Sequence, residues 1–229
     1  MGYRHLQNVL KAIALTAPSA RALEMTVEFV LGEGKDTATV GRLEDHFRDR
    51  PSMKACIERM KADPATRKCI EDRYLGPELG YTYAKVMKHL GYAAHFYGDR
   101  PSISEETDYV TMRVRKTHDL HHIVTGFSML GPGELGVIAI TALQYGYPAF
   151  VTLDLGAIAL SMLRVDGWSD QVRNVRSGWD MAERITPLMG VRWEDGLDKP
   201  LDVWRHELNI EPIREGRNSW HAVLSDLHL

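Results

Sequence analysis

Cysteine is scarce in this sequence, which has only two among 229 residues. Cys56 and Cys69 lie thirteen positions apart in a charged stretch with helical periodicity. Two cysteines so placed provide neither a disulfide framework nor the paired CxxC clusters of a zinc ribbon. Because proteins without disulfides are typical of reducing compartments, we expect a cytoplasmic protein.

A strong charge of either sign is also missing. Lys and Arg total 28, Asp and Glu total 31, and the formal net charge is −3. With no concentrated basic run, the chain offers no electrostatic reason to expect a nucleic-acid binder. Its content of 44% hydrophobic and 26% charged residues is that of a folded protein. The length suits one domain, or two small ones with a shared core, and we predict a single all-helical domain over residues 1–229.

The N-terminal stretch lacks the features of common targeting signals. "MGYRHLQNVLKAIAL" has neither the apolar core nor the small-residue cleavage site of a secretory signal. Gly2 does not complete a myristoylation motif, because Leu6 stands where that motif requires Ser or Thr. The stretch is mildly amphipathic, so it packs on a core or, as a minority of such helices do, rests on a membrane surface.

Clean two-residue alternation of apolar and polar residues is absent as well. Apolar residues instead recur at intervals of three and four along most of the chain, which indicates helices. Pro51 and Pro64 fit the first turn of a helix, and Asp63 stands at an N-cap position. We predict an all-α fold of about eight to ten helices.

One long uncharged run stands out, from Leu135 to Leu153. Its nineteen residues reach the minimum length for a membrane span, but Gln144 and the "GYP" break at Gly146–Pro148 divide it. We interpret the run as a buried helical hairpin. Such apolar helices lie at the centre of a fold or line an apolar, lipid-binding cavity.

Residues 117–134, "THDLHHIVTGFSMLGPGE", collect several potential metal ligands. With about 3.6 residues per turn, a helix would place His118, Asp119 and His122 within one arc of its surface. His121 falls on the other side of His118, outside this arc, and we interpret it as a bystander. Glu134 follows a Gly131–Pro132 break, so a short hairpin would return it to the histidine face.

Two imidazoles and one or two carboxylates suit Zn²⁺, Fe²⁺ or Mn²⁺ with one position open, and Mg²⁺ under other conditions. Simpler roles exist for each residue. Asp119 could pair with Arg115 four residues earlier, and Glu134 could complement a helix dipole. The nearest familiar motif is HExxH, but here the middle acid is the shorter Asp119. Hydrolysis, oxidation and decarboxylation all remain open on spacing alone.

The same stretch resembles the coenzyme Q biosynthesis protein 4 family, whose hallmark is H-D-x-x-H followed after eleven residues by E. His118, Asp119, His122 and Glu134 match all four positions. The flanks "YVTMRVRKTHDLHHIVTGF" and "GELGVIAITALQYGYP" are also similar, as is "MAERITPLMGVRWEDGLDKPLDVWRHELNI" near the C-terminus. The similarity extends from about residue 74 to 210.

The resemblance implies an all-helical protein of ubiquinone biosynthesis, peripheral to membranes and tied to other quinone-biosynthesis enzymes. His118, Asp119, His122 and Glu134 would hold the metal, with zinc the ion that the family favours. We add the expectation that Asp119 is catalytic. The family has been regarded as an enzyme that replaces a ring carboxylate by hydroxyl and as an organising scaffold. A metallohydrolase of HExxH type is a third reading.

We also expect a polyprenyl lipid, a quinone precursor or prenyl phosphate, as ligand. Arg115 lies on the same helical arc as the proposed metal ligands and could meet an anionic head group. Gly126 lies on the same arc and has no side chain, so it leaves room for a ligand there. Met129, three residues later, is a further predicted ligand-binding residue. We interpret most of the five tryptophans in the last third of the chain as core or helix-packing residues. Some could mark a surface that meets the membrane or a second subunit, and we expect a homo-oligomer.

Overall fold

The computed structural model describes residues 20–31, 37–76, 88, 103–129, 132–161, 168–196, 198–215 and 219. Within these ranges the protein is all-α, as the sequence predicted. The regular elements are the helices α1 (Ala20–Leu31), α2 (Thr37–Phe47), α3 (Pro51–Ala62), α4 (Pro64–Glu71), α5 (Glu106–Thr125), α6 (Pro132–Tyr145), α7 (Pro148–Ser161), α8 (Trp168–Ala182) and α9 (Leu201–Glu207), with 3-10 turns at Leu188–Gly190 and Trp193–Gly196.

These helices fall into two compact units. The first comprises Met1–Met60 and Leu130–Glu183, and the second comprises Lys61–Met129 and Arg184–Leu229. The single domain predicted from chain length stays a prediction. The amphipathic N-terminal stretch and most of the segment "GPELGYTYAKVMKHLG" lie outside the described residues.

The first unit contains the hairpin predicted from the uncharged run. Helix α6 ends at Tyr145, Gly146 turns the chain with a φ of 67°, and α7 begins at Pro148. Gly178 of α8 lies directly on α6, so close that an added Cβ would stand 2.2 Å from the carbonyl oxygen of Gly136. The hairpin is largely buried. No helix in the described ranges combines the length and apolarity needed to cross a membrane.

The second unit is built around α5, of whose twenty residues fourteen are buried. At its start the side chain of Asp108 accepts hydrogen bonds from the Glu105 backbone N–H (3.2 Å) and the Ser104 hydroxyl (3.1 Å). Helix α4 begins as predicted, because the Asp63 carboxylate accepts the backbone N–H of Thr66 at 2.7 Å. A helix buried on nearly all sides must contact several neighbours, and α5 packs against α4, α9 and the 3-10 turn at residues 188–190.

Arg113 of α5 is a fully buried cation whose hydrogen bonds connect distant segments. Its Nε donates to the carbonyl of Met189 at 2.8 Å, and its Nη2 donates to that of Val191 at 2.6 Å. Nη1 donates to the Tyr74 carbonyl and lies 3.8 Å from a carboxylate oxygen of Glu194. Because a buried guanidinium is tolerated only when its N–H groups find acceptors, these partners account for its position.

Candidate metal centre

Helix α5 brings His118 and His122 together, as their spacing predicted. Their Nε2 atoms lie 3.2 Å apart, and their rings are nearly perpendicular, at 85°, with centroids 4.8 Å apart. His118 is 7% exposed and His122 is completely buried. Both imidazoles are therefore shielded from bulk water and directed at one point.

The separation of the two nitrogens fits a shared metal ion. Two imidazoles that bind one Zn²⁺ at about 2.0–2.1 Å with a tetrahedral angle have their nitrogens about 3.3–3.4 Å apart. The observed 3.2 Å is close to that value. In the metal-free protein the same distance is satisfied by an N–H of one ring donating to the lone pair of the other.

The hydrogen bond made by Nδ1 of His122 determines whether its Nε2 carries a proton or a lone pair. Nδ1 lies 3.1 Å from the carbonyl oxygen of Phe127. Since a carbonyl can only accept, Nδ1 must carry the proton, and in the neutral ring the lone pair is then on Nε2. A ring whose other N–H is held by a carbonyl is the usual arrangement of metal-binding histidines.

Glu134 lies in the first turn of α6 and is half-buried. The return of Glu134 to the histidine face, which the predicted hairpin would bring about, stays a prediction. The break before Glu134 differs from our prediction. Helix α5 ends at Thr125, and Gly126 caps it in the left-handed conformation (φ 80°), five residues before the predicted cap at Gly131.

The remaining predicted site residues lie in the C-terminal half of α5 or near its middle, and just beyond its end. Asp119 and Arg115 are half-buried on the helix, and Met129 is buried just beyond it. Gly126 has a structural reason to be glycine, because an added Cβ would stand 2.6 Å from the carbonyl oxygen of Ile213. Metal binding by Asp119 and ligand binding by Arg115, Gly126 and Met129 stay predictions.

His121 has surroundings that the sequence did not indicate. It is completely buried, its ring centroid lies 6.0 Å from that of Trp193, and neither ring nitrogen hydrogen-bonds to a described residue. Burial, and to a lesser degree electrostatic interactions with His118, Arg113 and His122, hold its pKa well below 6.5. His121 is therefore a neutral packing residue beside the histidine pair, as its position outside the ligand arc allowed.

Comparison with known families identifies the chain. The model of the family described as coenzyme Q (ubiquinone) biosynthesis protein Coq4 matches residues 76–214, which is more than half of the sequence. This protein belongs to the Coq4 family. The resemblance recognised from the HDxxH motif is thus confirmed, and the matched residues include both histidines and Glu134.

Curated relatives agree with this membership. The chain is 31% identical over 189 residues to the mitochondrial ubiquinone biosynthesis protein COQ4 of Uncinocarpus reesii, covering 78% of this chain and 66% of that one. It is 25% identical over 199 residues to the protein of the same name from Scheffersomyces stipitis, covering 83% and 61%. The chain thus spans less than two thirds of the length of these relatives. They are named as mitochondrial, whereas we expected a cytoplasmic protein, so that location is not supported by them.

A solved structure agrees with the fold. A crystal structure from Nostoc punctiforme PCC 73102, described provisionally as a ubiquinone biosynthesis protein, matches with a TM-score of 0.68. The match covers 82% of this chain and 95% of the other, at 18% identity. At that identity the likeness concerns the helical architecture alone.

Proposed function

We propose that this Coq4-family protein binds a polyprenylated quinone precursor beside a divalent metal ion held by His118, His122 and Glu134. The observation that carries the proposal is the buried histidine pair, whose Nε2 atoms lie 3.2 Å apart. The carboxylate of Glu134, in the first turn of α6, is the proposed anionic ligand. Asp119 is the proposed fourth ligand or a neighbouring acid–base group.

The donor set fits a borderline cation. Two neutral imidazoles and a carboxylate suit Zn²⁺ best, and Fe²⁺ or Mn²⁺ next, whereas Mg²⁺ prefers oxygen ligands. A divalent ion at these ligands would supply Lewis-acid chemistry toward the ring carboxylate, and Fe²⁺ would in addition supply the dioxygen chemistry that redox-inactive Zn²⁺ does not. Because both histidines are buried, the reacting groups would be partly shielded from water, which strengthens electrostatic interactions.

The proposed reaction replaces a carboxylate on the prenylated ring by a hydroxyl. The carboxyl carbon leaves as CO₂, and the hydroxyl oxygen comes from dioxygen, whose second atom becomes water with two electrons from an external donor. Asp119 lies one residue after His118 on α5 and is half-buried. Asp119 would accept and return the protons that are transferred when the hydroxyl replaces the carboxylate on the ring.

The expected ligand has a charged or polar head and a long apolar tail. Each methylene removed from water contributes about 0.8 kcal/mol, so a prenyl tail requires an extended apolar surface. Helices α6 and α7 carry one charged side chain between Leu135 and Ser161, Asp154, and provide such residues. Arg115 would bind an anionic head, and Gly126 and Met129 would line its surroundings. Membrane association, self-association and contact with other quinone-biosynthesis enzymes belong to the same proposal.

A non-catalytic scaffold is the second candidate. The complete burial of His122 favours it, because structural metal sites are closed whereas catalytic ones keep an open position. In that case the metal stabilises the end of α5 while the protein presents its lipid to partner enzymes. A metallohydrolase would need a general base in place of the glutamate of HExxH, and Asp119 is one methylene shorter.

The test measures metal content, bound lipid and turnover of His122→Ala, with His46→Ala as a matched histidine control in the first unit. We expect about one Zn²⁺ per wild-type and control chain and none in His122→Ala, by elemental mass spectrometry. An enzyme would lose turnover of the prenylated carboxylate but keep its lipid and its fold. A scaffold would show no turnover in any variant, and His122→Ala would lose stability. The wild-type protein is also prepared anaerobically and incubated with Zn²⁺ or Fe²⁺. If it retains neither ion, the proposed site is refuted.

A further inference from the structure

The C-terminal end of α5, which carries His122, is held by unusually complete hydrogen bonding. The last four carbonyls of a helix have no partner within it. Here the carbonyl of His122 accepts the N–H of Gly126 at 2.9 Å. The carbonyls of Ile123 and Val124 each accept from the guanidinium of Arg205 at 2.9 Å. Arg205 thus closes the helix end from α9, eighty-one positions further along the chain.

The fourth carbonyl and the chain that follows are held by residues still closer to the C-terminus. The carbonyl of Thr125 accepts the N–H of Ile213 at 2.8 Å. Ser219 forms an antiparallel bridge with Phe127, and its hydroxyl donates to the Ile213 carbonyl at 2.8 Å. We refer to Arg205, Ile213 and Ser219 as the C-terminal clamp.

The clamp pairs with the residue whose carbonyl orients His122. The carbonyl of Phe127 accepts from Nδ1 of His122, and the backbone of Phe127 is the one that Ser219 pairs with. A shift of this carbonyl would rotate the imidazole, or break the hydrogen bond that keeps the proton on Nδ1. In the neutral ring either change alters the lone pair that Nε2 presents toward His118.

We propose that the C-terminal clamp positions His122 for metal binding, so that metal affinity depends on residues that do not bind the metal. The inference rests on the proposed metal site. The close packing around the clamp supports it: a Cβ on Gly126 would stand 2.6 Å from the carbonyl oxygen of Ile213, so the two backbones are in direct contact. The clamp is therefore built against the turn that presents the Phe127 carbonyl.

The test compares Arg205→Met and Ser219→Ala with the control Arg50→Met. Arg50 lies in the first unit and is exposed, and its Nε donates to the His46 carbonyl near the end of α2 at 3.0 Å. This contact resembles the one that Arg205 makes with the last carbonyls of α5. Zn²⁺ affinity is measured by chelator competition. The tautomer of His122 in metal-free protein is read from long-range ¹H–¹⁵N spectra with ¹⁵N-labelled histidine.

We expect Arg205→Met to weaken Zn²⁺ binding by about 10-fold or more, the usual effect of losing an outer partner of a metal ligand. Metal-free wild-type and control proteins should show His122 with its proton on Nδ1, and the clamp variants should show a mixture of tautomers. Ser219→Ala keeps the test informative if Arg205→Met does not fold. Unchanged affinity and tautomer in a folded clamp variant would overturn this inference alone. Wild-type protein that binds neither Zn²⁺ nor Fe²⁺ would overturn the proposed site and the clamp with it.

Discussion

Asp154 provides a sharp test of how the first unit is stabilised. Its carboxyl is 2% exposed in the apolar helix α7, and neither oxygen hydrogen-bonds to a described residue. Burial raises its pKa well above 3.8. A carboxyl in such surroundings avoids the desolvation of its charge by keeping its proton.

The consequence for stability has a definite sign. In the unfolded chain an aspartate loses its proton near pH 4. Above that pH the folded state still holds a proton that the unfolded state has lost, so the free energy of unfolding decreases as pH rises. The decrease is about 1.4 kcal/mol per pH unit and continues until the pKa of the folded state is reached. Asp154→Asn removes the titrating group while nearly conserving its shape.

Urea unfolding of wild-type protein, Asp154→Asn and the exposed control Asp49→Asn between pH 4 and 7 measures this effect. We expect wild type and Asp154→Asn to be similar in stability near pH 4. The advantage of the variant should then grow by about 1.4 kcal/mol per pH unit through the lower part of the range. Asp49→Asn should follow wild type throughout. A difference between wild type and Asp154→Asn that is constant with pH would refute the assignment of Asp154 as a buried, protonated carboxyl.

Two further predictions concern packing within each unit. Arg113→Met should lower the free energy of unfolding by about 3 kcal/mol or more, because it leaves buried carbonyls without donors. The exposed control Arg176→Met should change it by less than about 0.5 kcal/mol. Denaturant unfolding measures both variants, and equal effects would contradict the role of Arg113. Gly178→Ala should cost about 1–3 kcal/mol through overpacking of α8 on α6. The neighbouring Ser177→Ala should be nearly neutral by the same measurement, and an equally tolerated Gly178→Ala would show that the helices separate freely.

The local features of this protein could be predicted from its sequence because short-range geometry determines them. Helical periodicity indicated the all-α fold, and the "GYP" break at Gly146–Pro148 divided the uncharged run where α6 ends and α7 begins. The four-residue spacing of His118 and His122 was sufficient to bring their rings together, since residues i and i+4 face the same side of any helix. No knowledge of the tertiary structure was needed for these predictions.

The features that could not be predicted all depend on contacts between distant residues. We expected the first helix to end at the Gly131–Pro132 break. In the structure α5 ends at Thr125, whose carbonyl accepts the N–H of Ile213 at 2.8 Å. Arg113 likewise reads as a surface cation in "YVTMRVRKTHD", yet its acceptors come from carbonyls seventy-six and seventy-eight positions away. A sequence contains no local signal for such partners.

The proposed metal centre depends both on local helix geometry and on contacts between distant residues. Helix geometry alone gives two imidazoles on one face, but it does not determine which nitrogen of His122 carries the proton. That choice depends on the Phe127 carbonyl, and its position depends on the C-terminal residues that hold the end of α5. An HDxxH sequence on an isolated helix would therefore bind metal more weakly than the same residues in this fold. The motif supplies the ligands, whereas the tertiary structure prepares one of them to bind.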